Sequence, residues 1–141
     1  MDKAKIIIVD DEPGTCNSLY YILKDEGYEV TTSQSGEAAL KSFKNIYFDV
    51  LITDVRMEKL SGIELLEQIR IMYPKTEVIL ITALPSLETS LPAIRVGAFA
   101  YITKPISVEQ LKITVKKALE RKALLEENEK LKEQIDKLKQ K

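Results

Sequence analysis

A chain of 141 residues is long enough to bury one sizeable core without disulfides or a structural metal, so one compact domain with an appendage is the expected organisation. A formal net charge of -1 argues against a nucleic-acid-binding surface, which needs a clustered excess of Lys and Arg. The chain holds no histidine and one cysteine, Cys16, so imidazole acid–base chemistry, an intrachain disulfide and a thiolate or imidazole zinc site are all excluded.

Without histidine, a chain engaged in phosphoryl transfer receives phosphohistidine chemistry and does not offer it. No apolar run approaches the ~18 to 20 residues a membrane span requires, and no basic start with a small-residue cleavage site marks a signal peptide, so a cytoplasmic address is expected. Cys16 falls in an apolar helical pattern and is expected to be a packed thiol.

In chain order, short β-rich apolar runs recur at residues 6–9, 29–32, 50–53, 78–81 and 100–103, with a helical pattern between each pair. Alternating strands and helices predict an α/β fold, a doubly wound, three-layer parallel sheet of five strands covered on both faces. Pro13 suits the first turn of the first helix and Gly27 its stop. Ser61 with Glu64, and Ser107 with Gln110, read as capping boxes opening the third and fifth helices. Gly97 ends the fourth helix, and Pro85 and Pro92 are both read as lying within it, which predicts a short, kinked or mobile segment.

After Ser107 no Gly or Pro appears, so the fifth helix is expected to run well past the globular part. Leu111, Val115 and Ala118 form a stripe that packs on the sheet, and the apolar phase then changes between Leu119 and Leu125. Residues 1–119 are accordingly read as the domain and residues 120–141 as a helical coiled-coil linker. With Leu124, Leu131 and Leu138 at heptad position d, Asn128 and Ile135 fall at a and Glu127 at g faces Lys132 at e of a partner helix, a pattern for a parallel two-stranded coiled coil. A solvated amphipathic helix is the plainer alternative.

The residues that carry chemistry share one placement, at or just after the C-terminal end of a predicted strand: Asp10 and Asp11, Asp54, Thr82 and Lys104. In open α/β sheets that edge is where ligands bind, and the strand order 2-1-3-4-5 would gather all five into one crevice. Three carboxylates so gathered repel one another and call for a hard divalent cation, Mg2+ or Mn2+. Asp54 is then the candidate nucleophile, Lys104 a point charge for a phosphoryl group and Thr82 a neutral donor. Singly, such residues commonly serve as caps and turns; together at four strand ends they point to phosphoryl transfer.

These segments resemble the receiver domain of two-component response regulators over about residues 4–119. The run from Ile6 to Glu12 resembles the family's acidic pair, that from Leu51 to Met57 its phosphoacceptor strand, that from Leu80 to Ala83 its switch threonine, and Tyr101-Ile102-Thr103-Lys104-Pro105 its aromatic, lysine and cis-proline segment. The resemblance implies a CheY-like fold and a regulatory phosphoacceptor that is no enzyme in its own right. It implies that Asp11 and Asp54 ligate magnesium with the backbone carbonyl of Arg56, with Asp10 assisting, and that a sensor histidine kinase is the donor. Thr82 and Tyr101 would form the switch that remodels the face made by the fourth helix, fifth strand and fifth helix. Homodimerisation is expected through the coiled coil, and that face offers a second surface.

The Asp-Val-Arg-Met run and the long fifth helix resemble the NtrC-type receivers of sigma-54-dependent transcriptional activators. Their ATPase and DNA-binding modules are not in this sequence, and no Gly-rich phosphate loop with Lys and Ser or Thr occurs. Glu58 and Ala100 stand where the family commonly has proline and an acidic residue. Two alternatives stay open: a coiled-coil dimeriser whose receiver is degenerate, and a haloacid-dehalogenase-like phosphatase. The second is disfavoured because its Asp-x-Asp signature after the first strand is replaced by Asp10-Asp11-Glu12.

Overall fold

A computed structural model describes residues 3–140. Strands β1 (Lys5–Val9), β2 (Glu29–Ser33), β3 (Val50–Asp54), β4 (Glu77–Thr82) and β5 (Ala100–Thr103) alternate with helices α1 (Pro13–Asp25), α2 (Gly36–Asn45), α3 (Gly62–Met72), α4 (Leu87–Val96) and α5 (Val108–Lys139). All strand pairings are parallel, as the alternating pattern predicts, and the order is β2-β1-β3-β4-β5, the expected one that gathers the strand-end residues on one edge.

Side chains alternate across the pleat, so each central strand feeds two cores. Ile6, Ile8, Val50, Ile52, Ile79 and Ile81 meet α1 and α5 through Leu19, Leu23, Leu111, Val115 and Ala118. Ile7, Val9, Leu51, Val78 and Leu80 meet α2, α3 and α4 through Phe43, Leu65, Leu66, Ile69 and Ala93. Burial on both faces explains why these strands read as continuous apolar runs.

Local signals act mostly as read. Pro13 opens α1, and Gly27 and Gly97, with φ of 94° and 103°, follow α1 and close α4 in the left-handed conformation that glycine adopts without strain. The Ser61–Glu64 capping box closes in both directions. At Ser107 only half a box forms: its side chain accepts from the Gln110 amide at 3.3 Å, with no return bond among the described residues. A neutral Gln110 is drawn less strongly to the positive helix end than the Glu64 carboxylate.

One reading needs correcting. Pro85 lies outside α4, before the cap at Ser86, where a proline is compatible with the extended entry to a helix; only Pro92 sits within the ten-residue helix. α5 spans 32 residues without a break, with Leu111, Val115 and Ala118 buried against the sheet and Leu119 partly buried beside them. Among the described residues, no helix is long and apolar enough to cross a membrane.

Candidate functional site

Parallel strands all end on one edge, and the strand order places β1, β3, β4 and β5 side by side there. The chain turns sharply after each, and the turns fix the polar side chains. After β1, Asp10 Oδ1 accepts from the Glu12 amide at 2.9 Å; at the end of β3, Asp54 Oδ1 accepts from the Arg56 amide at 3.1 Å. Each carboxylate thereby has one oxygen held by the backbone and the other left to face the crevice.

Oxygens of Asp10, Asp11 and Asp54 lie within 4.8 Å of one another, Asp10 and Asp54 buried and Asp11 exposed. Lys104 reaches this cluster from the loop after β5, its Nζ 3.0 Å from Asp10 Oδ2 and 3.1 Å from Asp54 Oδ2. Burial alone would lower the pKa of the Lys104 ammonium; its bonds to both carboxylates and their charges outweigh that and hold it above the ordinary lysine value. The Lys104–Pro105 peptide bond is cis. Among the described residues the cluster holds only carboxylate donors, and hard oxygens so close together fit a small divalent cation such as Mg2+ or Mn2+.

Thr82 ends β4 fully buried at the same edge, its Oγ1 accepting from the Leu84 amide at 3.1 Å. Arg56 is exposed in the loop after β3. Tyr101 stands one strand further out, half-buried, with its hydroxyl hydrogen-bonded to Thr89 Oγ1 of α4. The structure thus brings Asp10, Asp11, Asp54 and Lys104 together, puts Thr82 beside them, and holds Tyr101 against α4. Leu124, Leu131, Ile135 and Leu138 are largely exposed along α5, and Asn128 lines a cleft between that helix and the domain.

Cys16, as expected, is a packed thiol, buried and directed at the backbone carbonyls of Asp10 and Ser33. Burial first, then the nearby Asp10 charge, push its pKa up, which suppresses the reactive thiolate.

Sequence reasoning passed over Gly62. A Cβ there would lie 2.1 Å from the carbonyl oxygen of Asp54, so α3 starts directly on the backbone of that residue. A glycine immediately inside a well-capped helix is the available signal, since it sacrifices helix propensity for close approach. Gly62→Ala is expected to lower stability by about 3 kcal/mol, because backbone must move to admit the methyl group. Urea titration checks this, and a loss under about 0.5 kcal/mol, the size of an ordinary surface substitution, would contradict it.

Comparison with known proteins agrees with this geometry. Residues 6–116 match the response regulator receiver domain family. The transcriptional regulatory protein ZraR of Escherichia coli strain K12 is 36% identical over 118 residues, 84% of this chain and 27% of its own length. Among solved structures, NtrX from Brucella abortus superposes with a TM-score of 0.87 at 31% identity, covering 92% of this chain and 30% of that one. The beryllofluoride-activated NtrC4 receiver domain dimer superposes with a TM-score of 0.80 at 36% identity, covering 84% of this chain and 98% of that one. This chain spans about a quarter of the length of the curated relatives it matches.

Proposed function

From the premise that this chain belongs to the response regulator receiver domain family, and that its relatives include receivers of sigma-54 activators, we propose that it is a magnesium-dependent phospho-switch with Asp54 as phosphoacceptor. The observation that carries the reading is Lys104, which bridges Asp10 and Asp54 beside a third carboxylate.

Asp10, Asp11 and Asp54, with the backbone carbonyl of Arg56, would hold Mg2+ or Mn2+, which when bound supplies positive charge against phosphoryl oxygens. The donor is a phosphohistidine on a sensor histidine kinase. An Asp54 oxygen attacks phosphorus, the O–P bond forms as the P–N bond breaks, and the electron pair leaves with the imidazole. The Lys104 ammonium, held between two carboxylates, exchanges one of them for a phosphoryl oxygen, and the Thr82 hydroxyl donates to another. The chain assists its own phosphorylation and dephosphorylation and turns over no external substrate.

Signalling follows from the neighbours of Thr82. Drawing Thr82 toward the phosphoryl group frees space behind it for the Tyr101 ring, whose hydroxyl is held by α4 in the present state. That exchange would remodel the face formed by α4, β5 and α5. Leu87, Leu91 and Ile94, spaced to share one side of α4, are exposed there and suit contact with a second copy.

We assign residues 1–119 to the phosphoacceptor domain and residues 120–141 to a coiled-coil linker that leads to an output ATPase and DNA-binding module on a longer cytoplasmic protein. No direct nucleic-acid binding is assigned to this segment. The heptad pattern and the exposure of Leu124, Leu131, Ile135 and Leu138 support a homodimer. Asn128→Leu is expected to relax oligomer specificity by removing the polar residue at position a, giving trimers or mixed species by sedimentation; a strict monomer before and after would refute the seam.

Exposure to acetyl phosphate followed by intact-mass measurement tests the phosphoacceptor reading. One added phosphoryl group is expected with Mg2+ and none with a chelator; an equal yield in both would overturn the magnesium dependence.

A further inference from the structure

On the edge of the sheet opposite the carboxylate cluster, α5 does not leave the domain when its core-packed stripe ends at Leu119. Arg121 Nη1 lies 3.4 Å from the Oε2 of Glu77, a carboxylate that is 4% exposed. Lys122, with its side chain 11% exposed, bonds Asp49 at 3.1 Å and also Glu126, one turn further along α5. One turn beyond that, Glu129 pairs with Lys75 at 2.9 Å. Two aromatic rings back the cations, Phe99 under Arg121 at 5.8 Å and Tyr47 under Lys122 at 5.3 Å.

Both acceptors sit at informative places. Asp49 immediately precedes β3, the strand that ends in Asp54; Glu77 begins β4, the strand that ends in Thr82. They are also joined to each other, the Glu77 amide donating to the Asp49 carbonyl at 3.0 Å, and the other Asp49 carboxylate oxygen accepts from the Lys5 amide at 2.8 Å. The anchor for α5 is therefore the backbone start of the same strands whose far ends carry the candidate site.

We propose that residues 121–129 are clamped to the base of the domain by this charged latch, so that α5 leaves as a rigid lever in a direction set by β3 and β4. The lone exposed pair, Lys75 with Glu129, adds little by itself. Buried Glu77 is different, because an unpaired carboxylate there is costly and Arg121 is the cation that α5 supplies to it. Burial pushes the Glu77 carboxyl up, opposed by Arg121 and then Arg70, which is the signature of a carboxylate that depends on its cationic neighbours.

The latch leaves the distal coiled-coil positions free. Arg121, Lys122, Leu125 and Glu129 face the domain cleft, with Asn128 and Lys132 at its border, while Leu124, Leu131, Ile135 and Leu138 are exposed, centred roughly a third of a turn away on the helix surface. A second helix can thus join the seam at Leu131, Ile135 and Leu138, beyond the last latch residue, without displacing the latch. What the oriented seam does rests on the coiled-coil reading; the latch itself rests only on the contacts above.

Hydrogen exchange on the full chain tests it, comparing the wild type with an Arg121→Gln/Lys122→Met double variant, in which the methionine keeps the apolar stem over Tyr47. Protection at residues 121–129 should exceed that at 131–139, persist on dilution, and fall about tenfold in the double variant, with β3 and β4 unchanged. Protection that vanishes on dilution, or that the double variant leaves intact, would overturn the latch and assign the order of this segment to dimerisation alone. Neither result depends on whether Asp54 accepts a phosphoryl group.

Discussion

Asp54→Asn is expected to abolish the covalent adduct with acetyl phosphate and the response to beryllofluoride, while leaving the fold in place. The amide oxygen of asparagine can still accept from the Arg56 amide, now held at 3.1 Å, so the turn after β3 keeps its anchor. Lys104 keeps Asp10, 3.0 Å away, as a partner, and one of three mutually repelling carboxylates is removed. Stability should therefore change by no more than about 1 kcal/mol, whereas an amide offers no anionic oxygen to attack phosphorus. Thermal melts with intact-mass measurement separate the two effects. A magnesium-dependent adduct that survives the substitution would sink the assignment of Asp54.

Lys104→Met should act on both stability and chemistry. It removes the cation that Asp10 and Asp54 share, leaving two buried carboxylates that only solvent or a divalent ion can compensate, at a cost of about 2 kcal/mol in chelator. Millimolar Mg2+ should restore more stability to this variant than to the wild type, since an ion that binds the folded state alone stabilises by mass action. Phosphorylation by acetyl phosphate should slow by about two orders of magnitude, the effect of deleting one preorganised charge from a transfer governed by electrostatics.

The sign with pH follows from the raised Lys104 value. The stability this residue contributes is complete below its unfolded value, near the ordinary 10.5, and is lost as pH rises through the higher folded one. The gap between wild type and Lys104→Met should thus be flat across neutral pH and close only in strong alkali. A gap that closes near neutrality would show that Lys104 is not the charge that matters.

What the sequence disclosed and what it hid divide along a physical line. Strands β1, β3 and β4 are buried on both faces, so composition alone marks them, and parallel topology then puts Asp10, Asp54, Thr82 and Lys104 on one edge. Covalent adjacency to a strand end was enough to find them. Gly62 could not be found in that way, because its importance is the 2.1 Å approach of a missing Cβ to a backbone oxygen of another element. Arg121, Lys122, Asp49 and Glu77 were equally hidden: each is an ordinary surface type in sequence, and their pairing depends on where a long helix passes the base of the sheet. Pro85 adjoins the helical pattern in sequence, but the helix begins only after the cap at Ser86. The hydroxyl pairing of Tyr101 with Thr89 also crosses elements and had no local signal.

Light scattering of the wild type and of Asp54→Asn, each with Mg2+ and with or without beryllofluoride, tests the phospho-switch most directly. A change in molar mass or hydrodynamic size in the wild type alone is the predicted result. No change in the wild type, at concentrations where Mg2+ binding is independently demonstrated, would contradict it and leave a scaffold whose assembly is indifferent to phosphorylation.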